Sequence, residues 1–198
     1  MEVIGNGYSS SITHHRNIAR KSAAGDGKIH VGYVGHMTNG WFDWDLIEKL
    51  AEEGTFHVHL IGHGAEQTQL ENIAAFSSVT YYGKIPPTEL YRYVRDWHVG
   101  LIPFRPHVLS RSVDPIKIYE YIYFGLPTVS SGMPHLDRYP HVVHAETHDR
   151  FIKACHTHYQ SVLQGEEEYN PQTELFLEES QWTKRFDRMI AYYEHQKD

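Results

Sequence analysis

The chain has 198 residues, which suits one or two domains, and its 40% hydrophobic content can form an ordinary buried core. Its 18 basic and 25 acidic residues give a net charge of −7, which argues against a general nucleic-acid binder, because such proteins need a clustered basic surface. The sequence has neither the ~20 consecutive apolar residues of a membrane span nor a secretory signal at its start. A single cysteine, Cys155, cannot form an internal disulfide, so we expect a cytoplasmic protein.

Residues 1–28 have the composition of a linker. They are rich in serine, glycine and histidine and contain little that could be buried. We interpret them as an interdomain arm.

From residue 29 onward, short β-rich runs alternate with helical patterns. The predicted strands are 29–34, 56–61, 79–82, 98–102, 128–130 and 141–144, and helical patterns separate most of them. This alternation predicts an α/β fold, a Rossmann-like domain over residues 29–170 with a parallel central sheet flanked by helices. Ligands of such sheets bind at the carboxyl ends of the strands.

The last segment, residues 171–198, has a helical pattern. Its apolar residues recur at the spacing of one helix face: Trp182, Phe186, Met189, Ile190 and Tyr193. We expect a C-terminal amphipathic helix that docks on the sheet.

The segment from 112 to 129 carries the clearest chemical signal. Asp114 is a good N-cap, and Pro115 suits the first helical position. Lys117 and Glu120 interrupt an otherwise apolar helix and, being three residues apart, share a face. A cation in a first turn is disfavoured by the helix dipole, and an anion bound there, such as a phosphate, would explain it. The alternative is an internal Lys117–Glu120 ion pair with no ligand.

The same segment resembles the signature of retaining glycosyltransferases of the GT-B fold, particularly the large family-four group. The residues that match this signature, with every spacing kept, are Pro115, Lys117, Glu120, Tyr121, Gly125, Pro127 and Val129. Residues 3–7, the run from Leu60 to Gly64, and Trp182 are similar to further segments of that family in the same order. The resemblance implies the C-terminal, donor-binding half of a GT-B enzyme.

The resemblance also implies roles for individual residues. It places Glu120 on the ribose, the backbone of Lys84 and Ile85 on the base, and no residue in a catalytic role. It places Lys117, Gly35 and His36 at the donor diphosphate. We add Arg111, which flanks the phosphate loop, and Ser112 to the predicted diphosphate site. Ser112 stands where the family often has a second glutamate, and the usual basic residue after the first strand is absent.

The partners follow from the same resemblance. We expect a nucleoside-diphosphate sugar, UDP-linked, as donor, and a saccharide or lipid-linked acceptor in glycan biosynthesis. The acceptor side would need an N-terminal domain, without which the isolated chain would be inactive. The full-length enzyme would associate peripherally with the inner face of the membrane. Two alternatives stay open: a non-catalytic nucleotide-binding or interaction module on the same fold, and half of a GT-B-type sugar-nucleotide epimerase.

The 16 histidines raise the question of metal binding. His57 and His59 lie on one face of a predicted strand, a geometry that metals accept, but the sequence places no carboxylate or third histidine beside them. We therefore expect no metal and no cofactor.

Overall fold

The computed structural model of the protein describes residues 4–8, 15–107, 110, 113–165 and 171–194. Within these residues, one sheet has the strand order β3-β2-β1-β4-β5-β6. The strands are β1 (Ile29–His36), β2 (Phe56–His63), β3 (Val79–Tyr81), β4 (Val99–Pro103), β5 (Thr128–Ser131) and β6 (Val142–His144). All five pairings are parallel. The predicted α/β fold with a parallel central sheet is confirmed.

Helices cover both faces of the sheet. They are α1 (Trp44–Glu52), α2 (Gln67–Ala74), α3 (Tyr91–Val94), α4 (Ile116–Phe124), α5 (His148–Gln164), α6 (Pro171–Glu179) and α7 (Trp182–Glu194). Because side chains alternate along a strand, each strand contributes to two apolar clusters. Val31 and Tyr33 of β1 pack with α1 and α5, whereas Val34 packs on the opposite face with α4.

Two helical predictions differ from the structure. The pattern that starts at Pro86 forms a 3₁₀ turn, Pro87–Glu89, and then only one turn of α-helix, α3. The segment after Pro171 forms two helices instead of one, interrupted where the Ser180 carbonyl accepts a hydrogen bond from the Tyr8 amide. No described residue of α7 is buried, so its apolar stripe does not dock on the sheet.

The described part of the arm is fastened to the carboxyl end of α4. The amides of Asn17 and Ala19 donate hydrogen bonds to the carbonyls of Tyr123 and Phe124, both 3.0 Å long. These carbonyls belong to the last turn of α4, where a helix has no acceptor partners of its own. The arm therefore caps the helix that carries the predicted signature.

Strands β1 and β2 approach so closely at their carboxyl ends that Gly62 has no room for a side chain. A Cβ atom there would lie 1.7 Å from the carbonyl oxygen of Gly35, and φ of Gly62 is +146°. The close approach brings the two loops that follow these strands together.

We predict that Gly62→Ala lowers the free energy of unfolding by about 3 kcal/mol or more, because the strands must separate and the backbone is strained. For a chain of this size the melting temperature should fall by about 6–12 °C. Thermal unfolding followed by circular dichroism measures this. Gly25→Ala is the control, since a Cβ there meets nothing within 4 Å. Equal melting temperatures for the two variants would contradict the prediction.

Candidate functional site

The sheet opens a crevice where its strand order reverses, between β1 and β4. Strand β1 pairs with β2 along its full length, Ile29 to His36, but with β4 only at Val31 and Gly32. Beyond Gly32 the two strands diverge toward their carboxyl ends. In open α/β sheets such a switch point is where ligands bind.

The side chain of Tyr121 fills the base of this crevice. Its hydroxyl accepts a hydrogen bond of 2.8 Å from the Val34 amide, which lies beyond the β1–β4 pairing. The ring fits because Gly100 of β4 has no side chain, whose Cβ would lie 2.8 Å from the Tyr121 ring. Burial raises the pKa of the Tyr121 hydroxyl well above its usual value, so the group stays neutral. The tyrosine of the signature thus fixes α4 across the switch point.

The amino end of α4 is built differently from the sequence prediction. The N-cap is Pro115, which makes no side-chain cap hydrogen bond, so the prediction that Asp114 is the N-cap is wrong. The Asp114 carboxylate instead accepts hydrogen bonds from the Asn6 amide (2.7 Å) and from the hydroxyls of Tyr119 and Tyr139 (both 2.8 Å). Its acceptor capacity is used by the arm and the core, which leaves the first turn of α4 without a side-chain acceptor.

Lys117 and Glu120 form an ion pair on one face of α4. The Lys117 Nζ and Glu120 Oε2 atoms are 2.6 Å apart, and the side chains are 26% and 9% exposed. The three-residue spacing predicts this contact, and the pair matches the alternative interpretation of an internal ion pair. A carboxylate this deeply buried needs a partner, because an unpaired buried charge is strongly destabilising. A ligand that replaces Glu120 as the partner of Lys117 must therefore also supply a hydrogen-bond donor or a positive charge to Glu120.

The other predicted binding residues gather at the carboxyl edge of the sheet. Gly35 and His36 end β1, and the His36 ring lies 4.8 Å from that of His63 at the end of β2. Lys84 and Ile85 follow β3; Lys84 is exposed, whereas Ile85 packs against the apolar cluster. The roles assigned to these residues stay predictions. Arg111 and Ser112 lie outside the described residues.

The loop after β1 crosses the crevice and is fastened to the end of β4. The Asp43 amide donates to the Pro103 carbonyl (2.8 Å), and the Arg105 amide donates to the Trp41 carbonyl (2.7 Å). The buried Asp43 carboxylate caps α1 by accepting from the Leu46 amide, and it lies 2.9 Å from His148 Nε2. Sequence reasoning missed the Asp43–His148 contact, because 105 positions separate its two residues.

A histidine chain, also missed, lies at the opposite, amino edge of the sheet. A large apolar residue followed by His-Val begins β1 and β2 and leads into β4, which places His30, His57 and His98 at equivalent positions. His59 lies two residues after His57, on the same face of β2, and belongs to the same cluster. The repeated start of the strands is the sequence signal that could have found this cluster, since neighbouring parallel strands bring equivalent positions together.

The hydrogen bonds of this chain start at a carboxylate. The Asp26 carboxylate can only accept, so His30 donates to it through Nε2, 3.1 Å away. His30 Nδ1 lies 2.8 Å from His59 Nε2, and His59 Nδ1 lies 2.8 Å from the Tyr82 hydroxyl. The third histidine and the carboxylate that the sequence did not place are thus present. Their nitrogen atoms bind one another and do not converge, and no group of three or more potential ligands among the described residues could hold a metal ion.

His98 is fully buried, and both of its ring nitrogens are engaged. Nε2 donates to the Ser22 carbonyl (2.9 Å), and Nδ1 accepts from the His30 amide (2.9 Å). A proton on Nδ1 would face the amide N–H, so the charged ring has no place here. Burial accordingly lowers the pKa of His98 to about 4, and burial together with His57 and His30 lowers that of His59 to about 3.

These pKa values predict that stability falls as the pH falls. Unfolded histidine has a pKa near 6.5, so from about pH 6.5 down to about 3–4 the unfolded chain binds more protons than the folded one. The free energy of unfolding should decrease by about 2–3 kcal/mol per pH unit through the middle of that window. Urea unfolding between pH 8 and pH 4.5 measures the slope.

The substitution His98→Gln should flatten that slope by about 1.4 kcal/mol per pH unit, because the amide does not titrate. The exposed Thr68→Ser serves as the control and should leave the slope unchanged, because neither side chain titrates. A slope that is the same in all three proteins would contradict this assignment.

Two further observations concern the reactivity of the cysteine and the possibility of a membrane-spanning helix. Burial raises the pKa of the Cys155 thiol, which disfavours the thiolate that a nucleophile requires. None of the described helices is both long and apolar enough to cross a membrane.

Sequence comparison matches the chain to one protein family and to a curated relative. The family model described as glycosyl transferases group 1 matches residues 28–161. The putative teichuronic acid biosynthesis glycosyltransferase TuaH of Bacillus subtilis is 24% identical over 179 residues, which cover 85% of this chain and 44% of that protein. The chain thus spans less than half the length of this relative.

Solved structures share the fold at low sequence identity. Sucrose-phosphate synthase from Thermosynechococcus elongatus is 15% identical with a TM-score of 0.65, over 98% of this chain and 52% of that one. A glycosyltransferase from Rickettsia africae is 10% identical with a TM-score of 0.62, over 85% and 48% of the two chains. HepE from Anabaena, solved with UDP and glucose, is 12% identical with a TM-score of 0.58, over 84% and 48%.

Proposed function

The chain belongs to the group 1 glycosyl transferases, and from that premise we propose that it binds a nucleoside-diphosphate sugar through Lys117 and Glu120. The observation that carries the proposal is their ion pair, which lies on the first two turns of α4 beside the switch-point crevice. A cation and a mostly buried carboxylate, side by side at a helix start without a side-chain cap, suit the two ends of a nucleoside diphosphate.

In the proposed complex each member of the ion pair exchanges its partner for a ligand group. The Lys117 ammonium turns to the diphosphate, whose negative charge is also favoured by the amino end of α4. The Glu120 carboxylate accepts hydrogen bonds from the ribose hydroxyls. A ligand that supplies both groups satisfies both charges, whereas inorganic phosphate alone would leave Glu120 unpaired.

We propose a UDP-linked donor and transfer of its sugar, with retention of configuration, to a saccharide or lipid-linked acceptor. HepE, which shares the fold, was solved with UDP and glucose, and TuaH is named for the synthesis of a polysaccharide. The acceptor site would be supplied by additional polypeptide, since these relatives are about twice as long as the matched region. With a lipid-linked acceptor, the complete enzyme would act at the inner face of the membrane.

Nucleotide binding tests the donor site. A thermal-shift panel with UDP, GDP, ADP and CDP should give the largest increase with UDP. At ~100 times the dissociation constant the stabilisation is ~2.7 kcal/mol, or roughly 5–11 °C in melting temperature. A larger shift with GDP would reverse the proposed base.

Substitutions in the ion pair test the roles of its two residues. Glu120→Ala should weaken UDP binding by about 1.5–3 kcal/mol through loss of a charge-assisted hydrogen bond. Lys117→Ala should weaken binding of UDP but leave that of uridine nearly unchanged. Calorimetry on variants shown to be folded measures both, with the exposed Lys153→Ala as the control. If neither Glu120→Ala nor Lys117→Ala changes UDP affinity, the pair is structural and the proposal fails.

We also predict that the isolated chain binds the donor without transferring its sugar. Holding donor and acceptor in reactive geometry supplies up to ~7–11 kcal/mol of the barrier, and a donor site alone cannot do this. An assay with radiolabelled UDP-sugar and a range of saccharide acceptors should show no product above background. Transfer by the isolated chain would contradict the division of the enzyme into two halves.

A further inference from the structure

An exposed tryptophan lies at the crevice and has no part in the proposed donor contacts. Trp41, in the loop after β1, is 37% exposed, whereas Trp44 and Trp97 are 5% and 0% exposed. A single exposed apolar side chain is common on a protein surface, so the significance of this ring depends on where it lies and on what holds it there.

The indole of Trp41 is held in a defined position. Its backbone amide donates to the Thr38 carbonyl (3.3 Å), and its carbonyl accepts from the Arg105 amide (2.7 Å). The indole stacks on the ring of Phe104, at 6.2 Å between centroids and 27° between planes. A ring supported from behind and fixed at its backbone presents its open face with little loss of entropy on binding.

The cleft beside Trp41 combines this apolar face with neutral polar groups. It has a volume of about 420 Å³ and is lined by His36, Thr38, Gly40, Trp41 and His107. His36 ends β1 and His107 lies beyond β4, so the cleft spans the switch point. Gly40 leaves space beside the indole, since a Cβ there would meet nothing within 4 Å.

This composition suits a pyranose ring. A pyranose has faces made of C–H groups, which pack on an aromatic ring, and an edge of hydroxyls, which both donate and accept hydrogen bonds. The Thr38 hydroxyl and the ring nitrogens of His36 can supply the complementary groups.

We propose that Trp41 is the stacking platform for a pyranose ring, with His36 and Thr38 as its hydrogen-bonding rim. The ring could be the sugar of the donor or a sugar of the acceptor, which present the same chemistry. The donor alternative rests on the proposed function, whereas the acceptor alternative needs only a free saccharide.

The experiment compares four proteins, namely wild type, Trp41→Ala, Trp41→Phe and the control Phe186→Ala on the exposed face of α7. The probes are UDP, UDP-glucose, GDP and GDP-mannose for the donor, and maltose and methyl glucoside for the acceptor. Calorimetry and indole fluorescence report binding.

For a donor sugar, Trp41→Ala should weaken binding of the nucleotide sugar about three- to tenfold and leave that of the matching nucleoside diphosphate within about twofold. Trp41→Phe should retain part of the affinity, and Phe186→Ala should retain all of it. For an acceptor sugar, the same order of variants should appear with maltose or methyl glucoside, while nucleotide-sugar binding stays unchanged.

Two results would overturn the platform. One is an equal loss of affinity, caused by Trp41→Ala, for a nucleoside diphosphate and for its sugar conjugate. The other is the absence of any Trp41-dependent binding of a nucleotide sugar or a free saccharide. If no nucleotide binds the wild-type protein while a saccharide binds in a Trp41-dependent manner, the proposed donor site fails and the platform stands.

Discussion

The divergence of β1 from β4 is the constraint on which the rest of the site depends. Beyond Gly32 the Val34 amide of β1 has no partner on β4, and a buried amide without a partner costs about as much as a lost hydrogen bond. The Tyr121 hydroxyl supplies the partner, and Gly100 provides the space for its ring. The sheet can therefore open only with α4 lying across the opening, which places Lys117 and Glu120 beside the crevice.

The arm holds the structure around both ends of α4. At the carboxyl end of α4, the backbone amides of Asn17 and Ala19 donate hydrogen bonds to carbonyls of the last turn. At the amino end, the backbone amide of Asn6 donates to the Asp114 carboxylate. A displacement of the arm would free groups at both ends of the helix that carries the ion pair. A segment with linker composition is thus part of the scaffold of the site.

The two edges of the sheet have different chemistry. The carboxyl edge presents glycines, a helix start without a side-chain cap and an exposed indole, all of which leave space for a ligand. The amino edge is closed by a chain of hydrogen bonds from Tyr82 through His59 and His30 to Asp26, with His98 fastening the arm at Ser22. His59 and His98 have lowered pKa values and stabilise this edge only while neutral, which makes the fold sensitive to acid without involving the site itself.

The resemblance predicted the family, and the alternation of elements predicted the fold. Individual contacts could be predicted only where they depend on the geometry of a single element. Helix α4 ends at Gly125 as its sequence predicts, because a left-handed residue there needs glycine, and Lys117 meets Glu120 because three residues make nearly one turn. Asp114 shows the limit of such local reasoning. Its sequence context favours an N-cap, yet its carboxylate accepts from the backbone amide of Asn6, from Tyr139 and from Tyr119 of α4 itself.

The sequence by itself determined which residues share a strand face or a helix face, since those relations follow from the geometry of a single element. Only the tertiary structure decided which elements are neighbours. The order of the strands opened the crevice at β1, joined the histidines of β1 and β2, and brought His107 opposite His36. Such contacts depend on distances between elements that lie far apart in the chain, and no periodicity within one element encodes those distances.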